Sequence, residues 1–386
     1  MDFRVPREVL ADAVVWTARS LPQRPTVPVL AGLLLRVEGD VLTVAGFDYE
    51  VSGEATVDVA AKADGVALVP GRLLADIARA LPDRPVDVSA AGPAVELTCG
   101  SARFTLPTLP VSDYPALPEL PPVAGTVDAA AFAAGVAQVA VAAGRDDTLP
   151  VLTGVRLELA GTTMTMIATD RYRMAMRELP WLPVDDAQEP VDALIPARSL
   201  ADTARALGGS AGGSGGGAGG SVEVAVRRGE GGDGLVGFAG YRRRTTGRLL
   251  DGGSYPAVRS LFTAEFTAEA RLPTAVLAEV VRRVALVAER ASPVRLTFDD
   301  AGLVVEASGG QDARASEAVA ATFTGDPLTV GVNPQYLLDA LAALGGPTAV
   351  LSFVSPLKPM ALSPATGAGE PLPGYRHLIQ PIRLAR

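Results

Sequence analysis

The chain has 386 residues, 48% of them hydrophobic and 20% charged, with a formal net charge of -9. That apolar share excludes global disorder, the length suits two to three domains, and the acidic total excludes a molecule coated in nucleic-acid-binding charge while leaving room for a local basic face. One cysteine, Cys99, and one histidine, His377, leave no disulfide framework, no Cys/His zinc site and a poor basis for His-dependent nucleophilic catalysis.

The N-terminus, Met1-Asp2-Phe3-Arg4, is charged and lacks the apolar core of a signal peptide. Apolar spacing predicts a first helix over 6–20. Residues 28–48, PVLAGLLLRVEGDVLTVAGFD, alternate apolar and other residues on both sides of Glu38-Gly39-Asp40, the pattern of an antiparallel hairpin with one buried face. LVPGRLLADIARAL (68–81) has apolar residues three and four apart and reads as a helix. A proline-rich joint covers 107–122, and a second helix-led unit opens at 128–143. The hairpin pattern returns without a gap as PVLTGVRLELAGTTMTMIATD (150–170), and the second helix as LIPARSLADTARAL (194–207). A third copy comprises a helix over 273–289, VRLTFDDAGLVVEASG (294–309) and VNPQYLLDALAAL (332–344), with Asp76, Asp202 and Asp339 in register. The order predicted for each repeat is helix, strands, helix, strands.

A unit of this length can bury its own core, unlike a solenoid repeat. The expected domains are 1–124, 125–262 and 263–386, the second joint lying at 254–262. The low-complexity run GGSAGGSGGGAGG (208–220) sits inside the second domain and reads as a surface loop, since it does not lead from a strand into a helix as a dinucleotide site would.

Catalytic constellations are wanting. Asp146-Asp147, Asp185-Asp186 and Asp299-Asp300 are read as solvated turns. The two lysines, Lys62 and Lys358, follow no phosphate-binding glycine loop, and no segment reaches the ~20 apolar residues of a membrane helix. His377 is read as a surface or structural side chain. Neither a cofactor nor a metal is expected, no membrane partner either, and a cytoplasmic place is. Against this stands an enzyme built on a repeat scaffold, which the missing His, Cys and Lys chemistry disfavours. Positive charge gathers on the helices: Arg72 and Arg198 are repeat equivalents, as are Arg79 and Arg205, and Arg282 lies on the first helix of the third unit. Any one of these alone is an ordinary solvated arginine. Their recurrence favours a common surface for phosphates, independent of base sequence and sensitive to salt.

The chain resembles the bacterial DNA polymerase III beta sliding clamps, most closely in wording those of high-GC actinobacteria. The residues that carry the resemblance are Arg24-Pro25-Thr26-Val27-Pro28-Val29-Leu30, Gly46-Phe47-Asp48-Tyr49-Glu50, Asp147–Gly154, Ala168–Arg173, Asn333 with Tyr336, and Gln380–Leu384. The resemblance implies an α+β fold of three repeated clamp domains, with helices on the inner face and antiparallel sheets outside. It implies a non-catalytic, head-to-tail homodimer closing around double-stranded DNA. Arg24 matches a DNA-facing arginine of that family, whereas Arg72, Arg79, Arg198, Arg205 and Arg282 rest on the repeats and helices. Phe104 and Leu106, with Leu286 and Val287, match its dimer contact. Its partner site is an apolar pocket between the second and third domains that takes a linear peptide from the polymerase III alpha subunit, the clamp loader, and other clamp-binding polymerases and repair proteins. The matching positions are Leu152, Thr169, Tyr172, Arg173, Met174, Pro256, Leu261, Asn333, Tyr336, Leu357, Pro359, Gln380, Pro381, Ile382, Arg383 and Leu384. Gln380 stands where the family commonly has an apolar Met, and Met174 and Met176 replace the more usual Leu and Val. Ala385-Arg386 extends past the expected end. These departures raise a second reading, a clamp paralogue whose altered pocket protects against a cyclic peptide antibiotic.

Overall fold

The computed structural model describes all residues except 186–188, 209–219, 230–233, 290–291, 310–312 and 385–386. One element order occurs three times: strand, helix, three strands, a short strand, a strand, helix, three strands. In the first repeat these are β1 (Asp2–Val5), α1 (Arg7–Thr17), β2 (Gly32–Glu38), β3 (Val41–Phe47), β4 (Val51–Asp58), β5 (Ala60–Ala63), β6 (Gly65–Pro70), α2 (Gly71–Ala80), β7 (Val86–Ala91), β8 (Ala94–Cys99) and β9 (Ala102–Pro107). The second has β10 (Val123–Asp128), α3 (Ala129–Ala140), β11 (Gly154–Ala160), β12 (Thr163–Thr169), β13 (Arg173–Pro180), β14 (Leu182–Pro183), β15 (Val191–Pro196), α4 (Ala197–Gly208), β16 (Ser221–Arg227), β17 (Leu235–Gly240) and β18 (Arg243–Arg248). The third has β19 (Ala268–Pro273), α5 (Thr274–Val284), β20 (Val294–Asp299), β21 (Gly302–Ser308), β22 (Arg314–Val319), β23 (Thr322–Thr324), β24 (Leu328–Val332), α6 (Pro334–Ala343), β25 (Thr348–Phe353), β26 (Met360–Ala365) and β27 (Tyr375–Ile379).

The three predicted hairpins and six predicted helices are present, with two corrections. Residues 68–70 and 194–196 belong to strands β6 and β15, and Val332 to β24, because Leu68 and Leu194 pair with β2 and β11 before each helix begins. Each repeat also opens on a short strand that the sequence reading missed. The hairpin turns follow expectation: Gly39 and Gly161 take φ of +55° and +52°, the left-handed region that glycine enters without steric cost. Each second helix seats the same leucine, Leu74, Leu200 or Leu337, which is fully buried. Asn333 caps α6 by accepting from the amides of Gln335 and Tyr336, and Pro334 occupies the first turn, where its missing N–H costs nothing.

The chain forms two compact units, and the middle repeat is shared between them. The first unit holds residues 1–130, 182–186 and 202–249. It contains a five-stranded sheet, ordered β5-β1-β7-β8-β9, and a nine-stranded sheet, ordered β14-β10-β16-β17-β18-β4-β3-β2-β6. Helices α1 and α2 pack together over a core of Phe3, Leu10, Val14, Leu33, Leu35, Leu42, Val44 and Leu74, which also holds Cys99. The second unit holds 131–181, 187–201 and 250–386, with a nine-stranded sheet ordered β15-β11-β12-β13-β27-β26-β25-β19-β23 and a four-stranded sheet ordered β22-β21-β20-β24. Two ladders join repeats. β18 pairs antiparallel with β4, from Arg243 opposite Ala55 to Gly247 opposite Val51. β27 pairs with β13, from Ile379 opposite Arg173 to Tyr375 opposite Arg177.

Candidate partner pocket and basic helices

The turn between β12 and β13 is built by its own side chains. The Asp170 carboxylate accepts from the amides of Tyr172 and Arg173, both at 3.0 Å. The Thr169 hydroxyl donates to the Arg173 carbonyl at 2.9 Å and accepts from the Arg171 amide at 3.2 Å. This Asx turn places Arg171 at φ +79° and sends Arg173 inward, where only 5% of it is exposed. Its guanidinium is held by two carboxylates, Nε by Asp170 at 2.9 Å and Nη1 by Asp339 of α6 at 2.6 Å. It also lies 4.6 Å from the centre of the Tyr336 ring, and Tyr336 stacks with Tyr172 at 6.4 Å. A cation so buried persists because its charge and its donors are met.

These residues border a cavity of about 650 Å³, completed by Ala143, Gly144, Arg145, Asp146, Leu149, Leu152 and Gln335. Leu152 is buried and lies in a short 3-10 segment, Pro150–Thr153, whose Leu152 carbonyl accepts from the Gly144 amide at 2.7 Å. The two hydrogen bonds from Thr148 hold the Asp146 carboxyl below its usual pKa range. Burial, followed by the Asp170 charge, raises the Tyr336 phenol, so Tyr336 enters as a neutral aromatic wall.

The C-terminal segment is tied down beside the turn. The Gln380 amide donates to the Tyr172 carbonyl and the Ile382 amide to the Gly331 carbonyl, both at 2.8 Å. Leu384 lies so close to Gly331 that a Cβ there would come within 2.7 Å of it. The Gln380 side chain reaches the Leu357 carbonyl at 3.4 Å.

Of the sixteen positions expected in the pocket, the cavity brings together Leu152, Tyr172, Arg173 and Tyr336. Thr169 and Asn333 shape the turn and the helix cap. Met174 is buried with Ile167, Phe262, Ala361 and Leu378. Pro256, Leu261, Leu357, Pro359 and the segment Gln380-Pro381-Ile382-Arg383-Leu384 do not line this cavity, although Leu261 and Leu357 are exposed. The sequence reading missed Arg145, Asp146, Leu149, Asp170, Arg171, Gln335 and Asp339. The recurrence of Asp339 with Asp76 and Asp202 was visible, but its bond to Arg173 was not.

The first repeat provides an internal comparison. The Asp48 carboxylate accepts from the amides of Glu50 and Val51, Tyr49 has φ of +74°, and the Arg248 amide donates to the Glu50 carbonyl as Gln380 does to Tyr172. The turn is therefore common scaffold. Glu50 and Val51 stand where the second repeat has Tyr172 and Arg173, so the first copy lacks the aromatic and cationic walls of the second.

Of the two readings of His377, surface or structural, the second holds: it is fully buried, and its Nδ1 lies 3.1 Å from the Tyr375 hydroxyl. Desolvation pushes its pKa down to about 3, so the ring is neutral. Among the described residues no cluster of His, Cys, Asp and Glu could hold a metal.

The predicted basic positions Arg24, Arg72, Arg198 and Arg282 are all exposed. Arg79 and Arg205 are exposed too, but each already binds the acid three residues before it, Asp76 at 2.9 Å and Asp202 at 2.8 Å. Gln335 and Ala342 take the equivalent places in α6, so the arginine pattern covers two repeats rather than three. At the sheet ends, Phe104 on β9 is 37% exposed and Leu286 is 84% exposed. Val287 is half-buried. Leu106 is fully buried in the core of its own unit.

Triplicated strand–helix units whose sheets run on from one repeat into the next define the class of processivity clamps. Models of the DNA polymerase III beta subunit match the N-terminal domain at residues 1–118, the central domain at 126–257 and the C-terminal domain at 259–369. A beta sliding clamp of Streptomyces coelicolor is 50% identical over the full length of both chains. A beta sliding clamp homolog, GriR, of Streptomyces muensis is 41% identical, again over the whole of both. The crystal structure of a sliding clamp from Pseudomonas aeruginosa bound to griselimycin superposes with a TM-score of 0.88 at 26% identity, covering all of each chain. The chain belongs to the DNA polymerase III beta subunit family, the sliding clamps of DNA replication.

Proposed function

We propose that two copies of this chain join head to tail around duplex DNA and hold replication proteins on it, without catalysing a reaction. The observation that carries this reading is the pair of unused sheet edges. In repeat order β9 corresponds to β18 and β27, while β22 corresponds to β4 and β13. β18 pairs with β4 and β27 with β13, but β9 and β22 each end their sheet. The repeat rule therefore calls for β9 of one protomer to pair with β22 of its partner, with Phe104, Leu286 and Val287 beside that seam. A heterologous contact of this kind closes into a ring when the rotation closes. The three domains are taken as 1–124, 125–262 and 263–386, and Arg24, Arg72, Arg79, Arg198, Arg205 and Arg282 as the phosphate-facing residues. The cavity of Tyr172, Arg173 and Tyr336 receives linear peptides of the polymerase alpha subunit, the clamp loader and other clamp-binding proteins in the cytoplasm. Retention on nicked circular DNA, with release once that DNA is linearised, is the expected result. Equal retention on both forms rejects the ring.

A second reading draws on one observation, the Gln380 side-chain amide, which donates to the Leu357 carbonyl while the Gln380 backbone is tied to Tyr172 of the pocket. Together with the likeness to GriR, it supports a clamp copy specialised for resistance to a cyclic peptide antibiotic. Griselimycin affinity at least tenfold below that of the housekeeping clamp from the same cell would support it, tenfold being about 1.4 kcal/mol. Equal affinity removes it.

A further inference from the structure

A second cavity, of about 450 Å³, opens on the sheet of the first unit where β18 joins β4. Its residues come from four neighbouring strands. Glu223 on β16 stands opposite Ala239 on β17, Ala239 opposite Arg244 on β18, and Arg244 opposite Glu54 on β4. Val222 and Val224, on either side of Glu223, are fully buried, so this row faces away from the core. Ala239 and Gly240 line the groove without long side chains, and Tyr241, 66% exposed, stands beside them at the turn between β17 and β18.

The charges of the lining are matched, save one. Arg242 pairs with Asp58 at 2.6 Å and Arg244 with Glu54 at 2.8 Å. Arg243 turns to the opposite face, where it binds Asp12 and the Ala206 carbonyl and lies 5.3 Å from the centre of the Trp16 ring. Glu223 is exposed and, among the described residues, in no ion pair. An anion would have to draw Arg244 away from Glu54, whose side chain is only 17% exposed, and would leave that carboxylate without its partner. A cation needs no such exchange, since it gains Glu223 and the face of Tyr241. Arginine suits the place better than lysine, because a flat guanidinium stacks on a ring and meets a carboxylate through two N–H groups. The second unit shows the same joint closed. There Arg376 stands opposite Met176 and donates to the carbonyl of Phe262, which shares an apolar cluster with Met176. At the first joint Arg244 has Glu54 instead, and the groove stays open.

We propose that this groove receives an arginine side chain presented by a partner protein, held by the Glu223 carboxylate and stacked on Tyr241. Both residues are exposed, so the backbone that bears the arginine can remain outside. The site stands apart from the peptide cavity, and its failure would leave that reading untouched. The test uses the full-length protein labelled with 3-fluorotyrosine, the Tyr241 resonance being the one lost in Tyr241→Phe. The probes are capped glycine peptides of equal length with a central arginine, lysine or citrulline, the last keeping the shape of arginine without its charge. The arginine peptide should shift the Tyr241 resonance saturably and bind about fivefold more tightly than the citrulline peptide, with the lysine peptide between them. Glu223→Gln should reduce the arginine advantage to less than about twofold. Glu96→Gln, on the separate five-stranded sheet, should leave it whole. An unmoved Tyr241 resonance, equal binding of arginine and citrulline, or an undiminished advantage in Glu223→Gln overturns the site. So does an equal loss in Glu96→Gln, which is the mark of attraction to an acidic surface at large. A lysine peptide bound as tightly as the arginine peptide overturns the choice of arginine.

Discussion

His377 has no exposed surface, and burial holds its pKa at about 3, against 6.5 for the free side chain. Between those values the unfolded chain binds a proton that the folded chain refuses, so stability rises with pH through that window and falls as the solution is acidified. Urea unfolding should lose about 2 kcal/mol between about pH 7 and pH 5 from this residue, and His377→Gln should remove that slope; a parent protein without it contradicts the buried neutral ring. Arg173 makes the opposite kind of demand, since it is buried as a cation. Arg173→Met leaves Asp170 and Asp339 facing each other without it and should cost about 3 kcal/mol, with part regained in the double variant Arg173→Met/Asp339→Leu. Additive losses in that cycle would show that the two side chains are not coupled. Neither pairing was legible in the sequence. The motif Ala168–Arg173 and the recurring Asp339 were both visible, but 166 positions separate Arg173 from Asp339, and no local spacing connects them.

At the scale of elements, what the sequence revealed was what repeats and what has a period. The hairpins alternate about tight glycine turns, and the second helices keep one buried leucine in register, so both could be read directly. The opening strands β1, β10 and β19 have only four to six residues and offer too few alternations to stand out. The residues before α2 and α4 read as helix in the sequence because Leu-Val-Pro and Leu-Ile-Pro are as apolar as the helices they precede. The helices also carry the arginines, and here the repeats mislead if taken as three equal copies. Arg79 and Arg205 are each paired with an acid, whereas α6 has Ala342 in their place. Exposed pairs of this type are weak, worth about 0 to 1 kcal/mol, so a phosphate can displace the acid. Arg79→Ala or Arg205→Ala should lower the salt slope of binding to a short linear duplex by about one unit each, while Asp76→Asn should strengthen binding by freeing Arg79. A slope unchanged in both alanine variants would place these helices away from the DNA.

For the whole molecule, two ladders made inside the chain are the pattern for the proposed third. β9 ends a five-stranded sheet and β22 a four-stranded one, and an open edge presents unpaired amides and carbonyls that invite pairing with another chain. Head-to-tail pairing fills both edges at once, which a symmetric pairing of like edges would do only for one. Leu286 follows α5 in the unit that carries the β22 edge, and its 84% exposure separates assembly from folding. A polar residue there costs the isolated protomer little, because surface substitutions away from caps and cores stay within about 0.5 kcal/mol. Leu286→Asp should therefore keep the melting temperature of the protomer, shift light scattering from dimer to monomer mass, and abolish retention on circular DNA. Leu106→Asp, by contrast, should unfold the first unit, since that side chain lies in its core. A Leu286→Asp protein that remains dimeric and stays threaded on circles would place the seam elsewhere and break the correspondence between β22, β4 and β13 on which the ring is built.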